Sequence, residues 1–327
     1  MKPCFRLILL VFAIPGITSC ANLNLQRATP TPVPRGPDIR GVFAGNTPCI
    51  AQVRPVLQIP EDADCDQIIW SLVLRQDPQT GAPATYSLIS YYGLSKQGTN
   101  NLVGGGTPIS MEGNWAITKG TKDNPNATVY QINPADSQTT VSFLKISDDL
   151  IHVLSREKSM LVGNGAWSYT LDRMDNQKQA QSEPLSKSIP DPPTRPPQPP
   201  MPAGSSVFGI FDGRTPCHEV VLAFTGTAPF PGCMKIKWRL TFYQDSTTGA
   251  PGRYLFMGTS AYREGSWRIV HGMDDDPNAI LYQLQPDGAQ QAFYFLKVDD
   301  NHLFMMDSAM NLLVGNELFS YTLSRAD

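Results

Sequence analysis

Lys235-Ile236-Lys237-Trp238-Arg239-Leu240-Thr241-Phe242 alternates charged or polar side chains with apolar ones. Successive side chains of an extended chain point to opposite faces, so this period of two predicts a strand with one apolar and one polar face, and the helical template fails. Working outward, further strands are predicted over residues 207–211, 253–259, 266–271, 280–285, 292–298, 302–306 and 319–324, separated by clusters of Asp, Gly, Asn and Pro. About eight short strands with aromatic inner positions suit a small up-and-down antiparallel barrel, because closure removes the exposed edges.

The deciding stretch belongs to one half of a duplication. Gly41-Val42-Phe43-Ala44-Gly45-Asn46-Thr47-Pro48-Cys49 matches Gly209-Ile210-Phe211-Asp212-Gly213-Arg214-Thr215-Pro216-Cys217, and the same offset of 168 takes Cys65 to Cys233 and Trp70 to Trp238. After a glycine-rich insertion near residues 95–108, an offset of 152 aligns Trp115 with Trp267 and Leu161-Val162-Gly163-Asn164 with Leu313-Val314-Gly315-Asn316. The copies end alike, on Ser168-Tyr169-Thr170-Leu171 and Ser320-Tyr321-Thr322-Leu323. The expected fold class is therefore all-β, with two tandem small barrels. Gly104-Gly105-Gly106 in the insertion has no following Lys-Ser/Thr and no helix, and reads as a flexible hairpin extension.

At 327 residues the chain is long enough for two domains of ordinary size. Of its 29 prolines, 13 fall in two polar stretches that cannot form helix or central strand. The expected organisation is a leader at 1–19, a Pro-rich tether at 20–37, a first barrel at 38–175, a Pro-rich linker at 176–204 that acts as an extended spacer, and a second barrel at 205–327. The leader carries Lys2 and Arg6, an apolar run over residues 7–14 and a small-residue end at Ser19. This is the layout of an export signal, and the run is too short for a permanent membrane helix. Ile17-Thr18-Ser19-Cys20 resembles the lipobox of bacterial lipoproteins, which implies acylation of Cys20 and a membrane anchor on an extracytoplasmic protein of the cell envelope.

Export places the remaining cysteines in an oxidising compartment, so Cys49 with Cys65 and Cys217 with Cys233 are expected as disulfides, one per barrel. A thiol metal site is the alternative, but two cysteines with no second Cys or His pair nearby make an incomplete zinc set. With its Gly-x-x-x-Gly-x-x-Pro-Cys opening, amphipathic strand, Gly-x-Trp and Tyr-x-Leu strand, each copy resembles the N-terminal domain of the NlpE-type copper-resistance lipoproteins. That resemblance implies a lipocalin-like barrel on an envelope lipoprotein, linked to surface-adhesion and copper-stress sensing. The family's Cys-x-x-Cys pair after the proline is missing here, since Cys49 is followed by Ile50-Ala51-Gln52 and Cys217 by His218-Glu219-Val220. Its metal or redox role is not carried over to these cysteines.

Composition and motifs narrow the chemistry. The formal charge is −3, more negative by two once Lys2 and Arg6 leave with the leader, so no basic field exists to hold nucleic acid. His152, His218, His271 and His302 fall at positions that do not match between the copies, which argues against a duplicated catalytic site. No nucleophile elbow, zincin helix or phosphate-cradling loop is present, so no enzyme is expected. Asp274-Asp275-Asp276-Pro277-Asn278 lacks the glycine and distal glutamate of a calcium loop and reads as a solvated turn. His302, Met305, Met306 and Met310 offer imidazole and soft sulfur suited to copper(I), but strand alternation puts Met305 and Met306 on opposite faces. Core methionine is the competing reading. Two functions remain: a binding or stress- and surface-sensing module with a possible envelope protein partner, or a carrier of a small hydrophobic ligand or copper in the barrel. Large inner residues such as Trp70, Trp238 and Phe242 favour the first.

Overall fold

A computed structural model describes residues 32–176, 197–217, 233–258, 262–273 and 276–327. The leader, Cys20, most of the tether, the proline pairs at 192–193, His218 and Asp274-Asp275 lie outside the described residues. Two closed eight-stranded antiparallel barrels follow one another along the chain. The first is built from β1 (Ile39–Pro48), β2 (Gln67–Gln76), β3 (Pro83–Gly93), β4 (Thr107–Lys119), β5 (Thr128–Ile132), β6 (Val141–Lys145), β7 (Leu150–Val153) and β8 (Thr170–Arg173). The second comprises β9 (Ser205–Pro216), β10 (Lys235–Asp245), β11 (Pro251–Met257), β12 (Tyr262–His271), β13 (Ile280–Pro286), β14 (Phe293–Lys297), β15 (His302–Met306) and β16 (Thr322–Arg325).

The alternation read from the sequence is what fills the second barrel. Ile236, Trp238, Leu240 and Phe242 point inward to a core shared with Tyr254, Phe256, Phe295 and Leu323, while Lys237 and Arg239 face out. Alternation ends at Thr241, because Tyr243 on the outer face is also buried and clusters with Leu255 and Met257. Aromatic rings occupy the interior: Trp238 stacks on Phe256 at 4.5 Å, and in the first barrel Trp70 meets Phe143 edge-on at 6.2 Å. The last strand starts later than its pattern suggests. Asn316 Oδ1 accepts hydrogen bonds from the amides of Leu318 and Phe319, and this turn keeps residues 316–319 out of the ladder.

The shared Gly-x-x-x-Gly-x-Thr-Pro-Cys opening has a physical reason at each place. β1 closes on β8 through Phe43↔Arg173 and Ala44↔Asp172, and β9 closes on β16 in the same way. A Cβ on Gly45 would lie 2.9 Å from the Thr170 carbonyl oxygen, so only glycine lets the strands approach. Thr47 accepts the Trp70 indole N–H at 2.8 Å and Thr215 that of Trp238 at 2.7 Å, satisfying a buried donor in each barrel.

Cys49–Cys65 and Cys217–Cys233 form the two expected disulfides, with Cα atoms 5.7 and 5.6 Å apart. In the first, Arg54 gathers the enclosed loop by donating to the carbonyls of Pro60, Glu61, Ala63 and Cys65. Each bond closes a loop with a sequence separation of 16, which stabilises a domain by about 3 kcal/mol in the chain-entropy model. The double replacement Cys49→Ser with Cys65→Ser is expected to lower the first barrel's stability by about that amount. Urea denaturation against the parent checks it, and an unchanged midpoint would count against the staple.

The insertion between β3 and β4 is a structured hairpin end. Ser95 bridges to Leu102, which is buried, and Gly104, Gly105 and Gly106 all take positive φ, a conformation side-chain-bearing residues rarely adopt. From its tip, Asn100 accepts a hydrogen bond from Lys235 of the second barrel at 3.0 Å. The barrels therefore touch.

Candidate functional site

β7 and β15 carry no exposed residue, although a barrel strand ordinarily shows one face to water. Ile151, Val153, Leu303 and Met305 fill the two barrel cores. The opposite, outer face holds His152 and, on neighbouring β8, Thr170 and Asp172; in the second barrel it holds His302, Phe304 and, on β16, Thr322 and Ser324. All are buried, and they are buried against each other.

The contacts pair each residue with its own counterpart in the repeat. Ser168 Oγ lies 2.7 Å from Ser320 Oγ, Thr322 Oγ1 donates to Thr170 Oγ1 at 2.9 Å, and the ring of His152 sits 6.3 Å from that of Phe304. Each pair is 152 apart, the offset of the duplication. Off this axis the contacts are reciprocal: the Gly315 amide donates to Asp172 Oδ1, while Gly163 packs where its Cβ would come within 2.8 Å of Ser324 Oγ. Self-pairing on an axis with reciprocal contacts beside it is the signature of a two-fold interface, here formed within one chain.

Buried polar groups in this seam form a continuous network. His152 Nδ1 faces Thr170 Oγ1 at 3.1 Å and its Nε2 faces the Leu161 carbonyl at 2.9 Å. The Leu161 carbonyl can only accept, so Nε2–H donates to it, and the unprotonated Nδ1 accepts from the Thr170 hydroxyl, which in turn accepts from Thr322. The same carbonyl faces His302 Nε2 at 3.1 Å, and His302 Nδ1 faces Asp299 Oδ1 at 2.8 Å. The imidazole rings are 4.7 Å apart. Burial, with the neighbouring His302 adding to it, holds His152 well below the usual imidazole range. Burial raises Asp299, but the His302 hydrogen bond and charge outweigh it, and its carboxyl ends below the ordinary range. Asp172 is the opposite case: burial pushes it well above the usual carboxylate range, and only the Gly315 amide opposes this. At the rim, Arg214 stands over the Trp167 ring at 5.9 Å and Lys235 over the Phe319 ring at 5.3 Å.

The copper candidates are distributed rather than gathered. Met305 points into the second barrel's core, His302 and Met306 lie on the outer face of β15, and Met310 is in the following turn at φ 63°. Both His302 ring nitrogens are occupied by Asp299 and Leu161. Among the described residues no three of His, Cys, Asp and Glu group as a metal site. In the acidic turn, Asp276 accepts the Asn278 amide at 2.9 Å.

The repeated Leu-Val-Gly-Asn and Ser-Tyr-Thr-Leu runs carry no role in the sequence alone; in the fold they supply Gly163, Gly315, Ser168, Thr170, Ser320 and Thr322 to the seam. The signal available was their recurrence at the offset of 152 in both copies.

Residues 224–316 match the NlpE N-terminal domain. This NlpE-like stretch runs through β10 to β15 and ends on the Leu313-Val314-Gly315-Asn316 run that lies in the seam. No curated protein and no solved structure matches the chain.

Proposed function

We propose that this chain is a non-catalytic lipoprotein of the bacterial cell envelope, anchored through acylated Cys20, whose tandem barrels form a binding or stress- and surface-sensing module. The NlpE-like stretch is the observation that carries this reading, and the two disulfides support an extracytoplasmic site. Interiors packed with aromatic rings favour action through loops and outer faces over carriage of a ligand in the barrel. The partner is then an envelope protein, met by two barrels joined along a buried seam.

Native mass spectrometry of mature protein purified from its own envelope tests this. The expected species begins at acylated Cys20 and carries nothing else. A copper ion or lipid retained in a barrel would move the function to carriage, and an unacylated N-terminus elsewhere would remove the anchor.

A further inference from the structure

The seam has one component that a static barrel–barrel contact does not need. Asp172 lies on the outer face of β8, fully buried, opposite Ala44 of β1 and Leu150 of β7. Its Oδ1 accepts the Gly315 amide of the second barrel, and its Oδ2 has no hydrogen-bond partner among the described residues. Across the seam it meets that amide, and among the described residues no cation acts on it; the Tyr321 phenol, which feels its charge, lies in the core of the second barrel. The seam's other titratable groups, His152, His302 and Asp299, are linked to one another, and Asp299 serves as the acceptor for His302. The counterpart of Asp172 in the second barrel is Ser324, a neutral hydroxyl that meets Gly163.

We propose that the contact between the two barrels is proton-dependent: the closed seam holds Asp172 as the neutral acid, and opening the seam releases that proton to solvent.

In the closed seam the carboxyl lies away from water and, among the described residues, beside no cation, which favours the protonated form. In the open state it faces water and ionises near the ordinary carboxylate value of 3.8. Above that value, closure takes up one proton, so the seam weakens as pH rises, and its opening constant grows by about tenfold per pH unit until the closed-state carboxyl also ionises. His152, shifted in the other direction, offsets this only below its ordinary value of 6.5, because above it the ring is neutral in both states. The Asp172 contribution therefore stands clear of His152 above pH 6.5, for as long as the closed-state carboxyl keeps its proton. A two-barrel module built this way is rigid in mildly acidic surroundings and loosens in alkaline ones. This inference concerns the seam and is independent of the envelope reading.

The test is hydrogen exchange of the Gly315 amide in the full chain from pH 7 to 9, with rates divided by those of an unprotected chain to yield opening constants. In the parent the opening constant is expected to rise with pH, by about tenfold per unit while the closed-state carboxyl keeps its proton. Asp172→Asn, the neutral isostere, and Asp172→Ser, which installs the residue of the second barrel, are each expected to flatten that slope. The Leu240 amide, deep in the second barrel, is the reference for exchange without seam opening. A flat profile in the parent overturns the proposal without recourse to any variant, and so does an unchanged slope in either folded variant.

Discussion

Replacing Trp238 by alanine is expected to destabilise the second barrel by about 3–5 kcal/mol while the first barrel keeps its own unfolding transition. Trp238 is buried at the centre of β10, stacks on Phe256 at 4.5 Å, and donates its indole N–H to Thr215 at 2.7 Å. Truncation removes the ring's burial, leaves a cavity between rigid strands that cannot collapse into it, and takes a donor from a buried hydroxyl. Trp238→Phe keeps most of the packing and loses only the indole hydrogen bond, so about 1–2 kcal/mol is expected for it. The first barrel has a separate core, with Trp70 and Thr47 making the equivalent pair. Calorimetry with barrel-resolved hydrogen exchange distinguishes the cases. Equal loss of protection in both barrels would mean that the seam, and not each core, sets stability.

Adding a single methyl group at Gly213 is expected to cost about 3 kcal/mol, at the upper end of overpacking effects. A Cβ there would lie 2.8 Å from the Thr322 carbonyl oxygen and 2.7 Å from Leu323 Cδ2. The leucine could turn away, but the carbonyl belongs to the strand that closes the barrel. The β9–β16 register has only two paired positions, Ser324↔Asp212 and Arg325↔Phe211, so little ladder remains to resist separation. Gly249→Ala is the informative control. Gly249 sits at φ 71° with nothing within 4 Å of a Cβ, so its cost is conformational, about 1–2 kcal/mol, and local to a turn. Gly213→Ala should speed exchange in β16 selectively, whereas Gly249→Ala should leave β16 protected. Full protection of β16 in Gly213→Ala would show that glycine is not what permits closure.

These two positions show how far the sequence could be read. Trp238 was legible because its neighbours alternate, and alternation is a local property of an extended backbone. Gly213 was legible only as a repeated letter: its spacing to Cys217 recurs at Gly45 and Cys49, but the reason lies in β16, a hundred residues on. The disulfide pairs were likewise readable from spacing and export. In the sequence the methionines and His302 offer a soft-metal set; strand alternation separates Met305 from Met306, and the fold gives His302 other partners.

By itself, the sequence determined the strand pattern, the duplication and the cysteine pairs, since each is written in spacings within one copy or in the offset between copies. Tertiary structure alone decided that His152, Thr170 and Asp172 are not solvent-facing. Alternation assigns a polar residue to the outer face of its own barrel. Whether that face meets water or a second barrel depends on packing between segments about 150 residues apart, to which a period of two is blind.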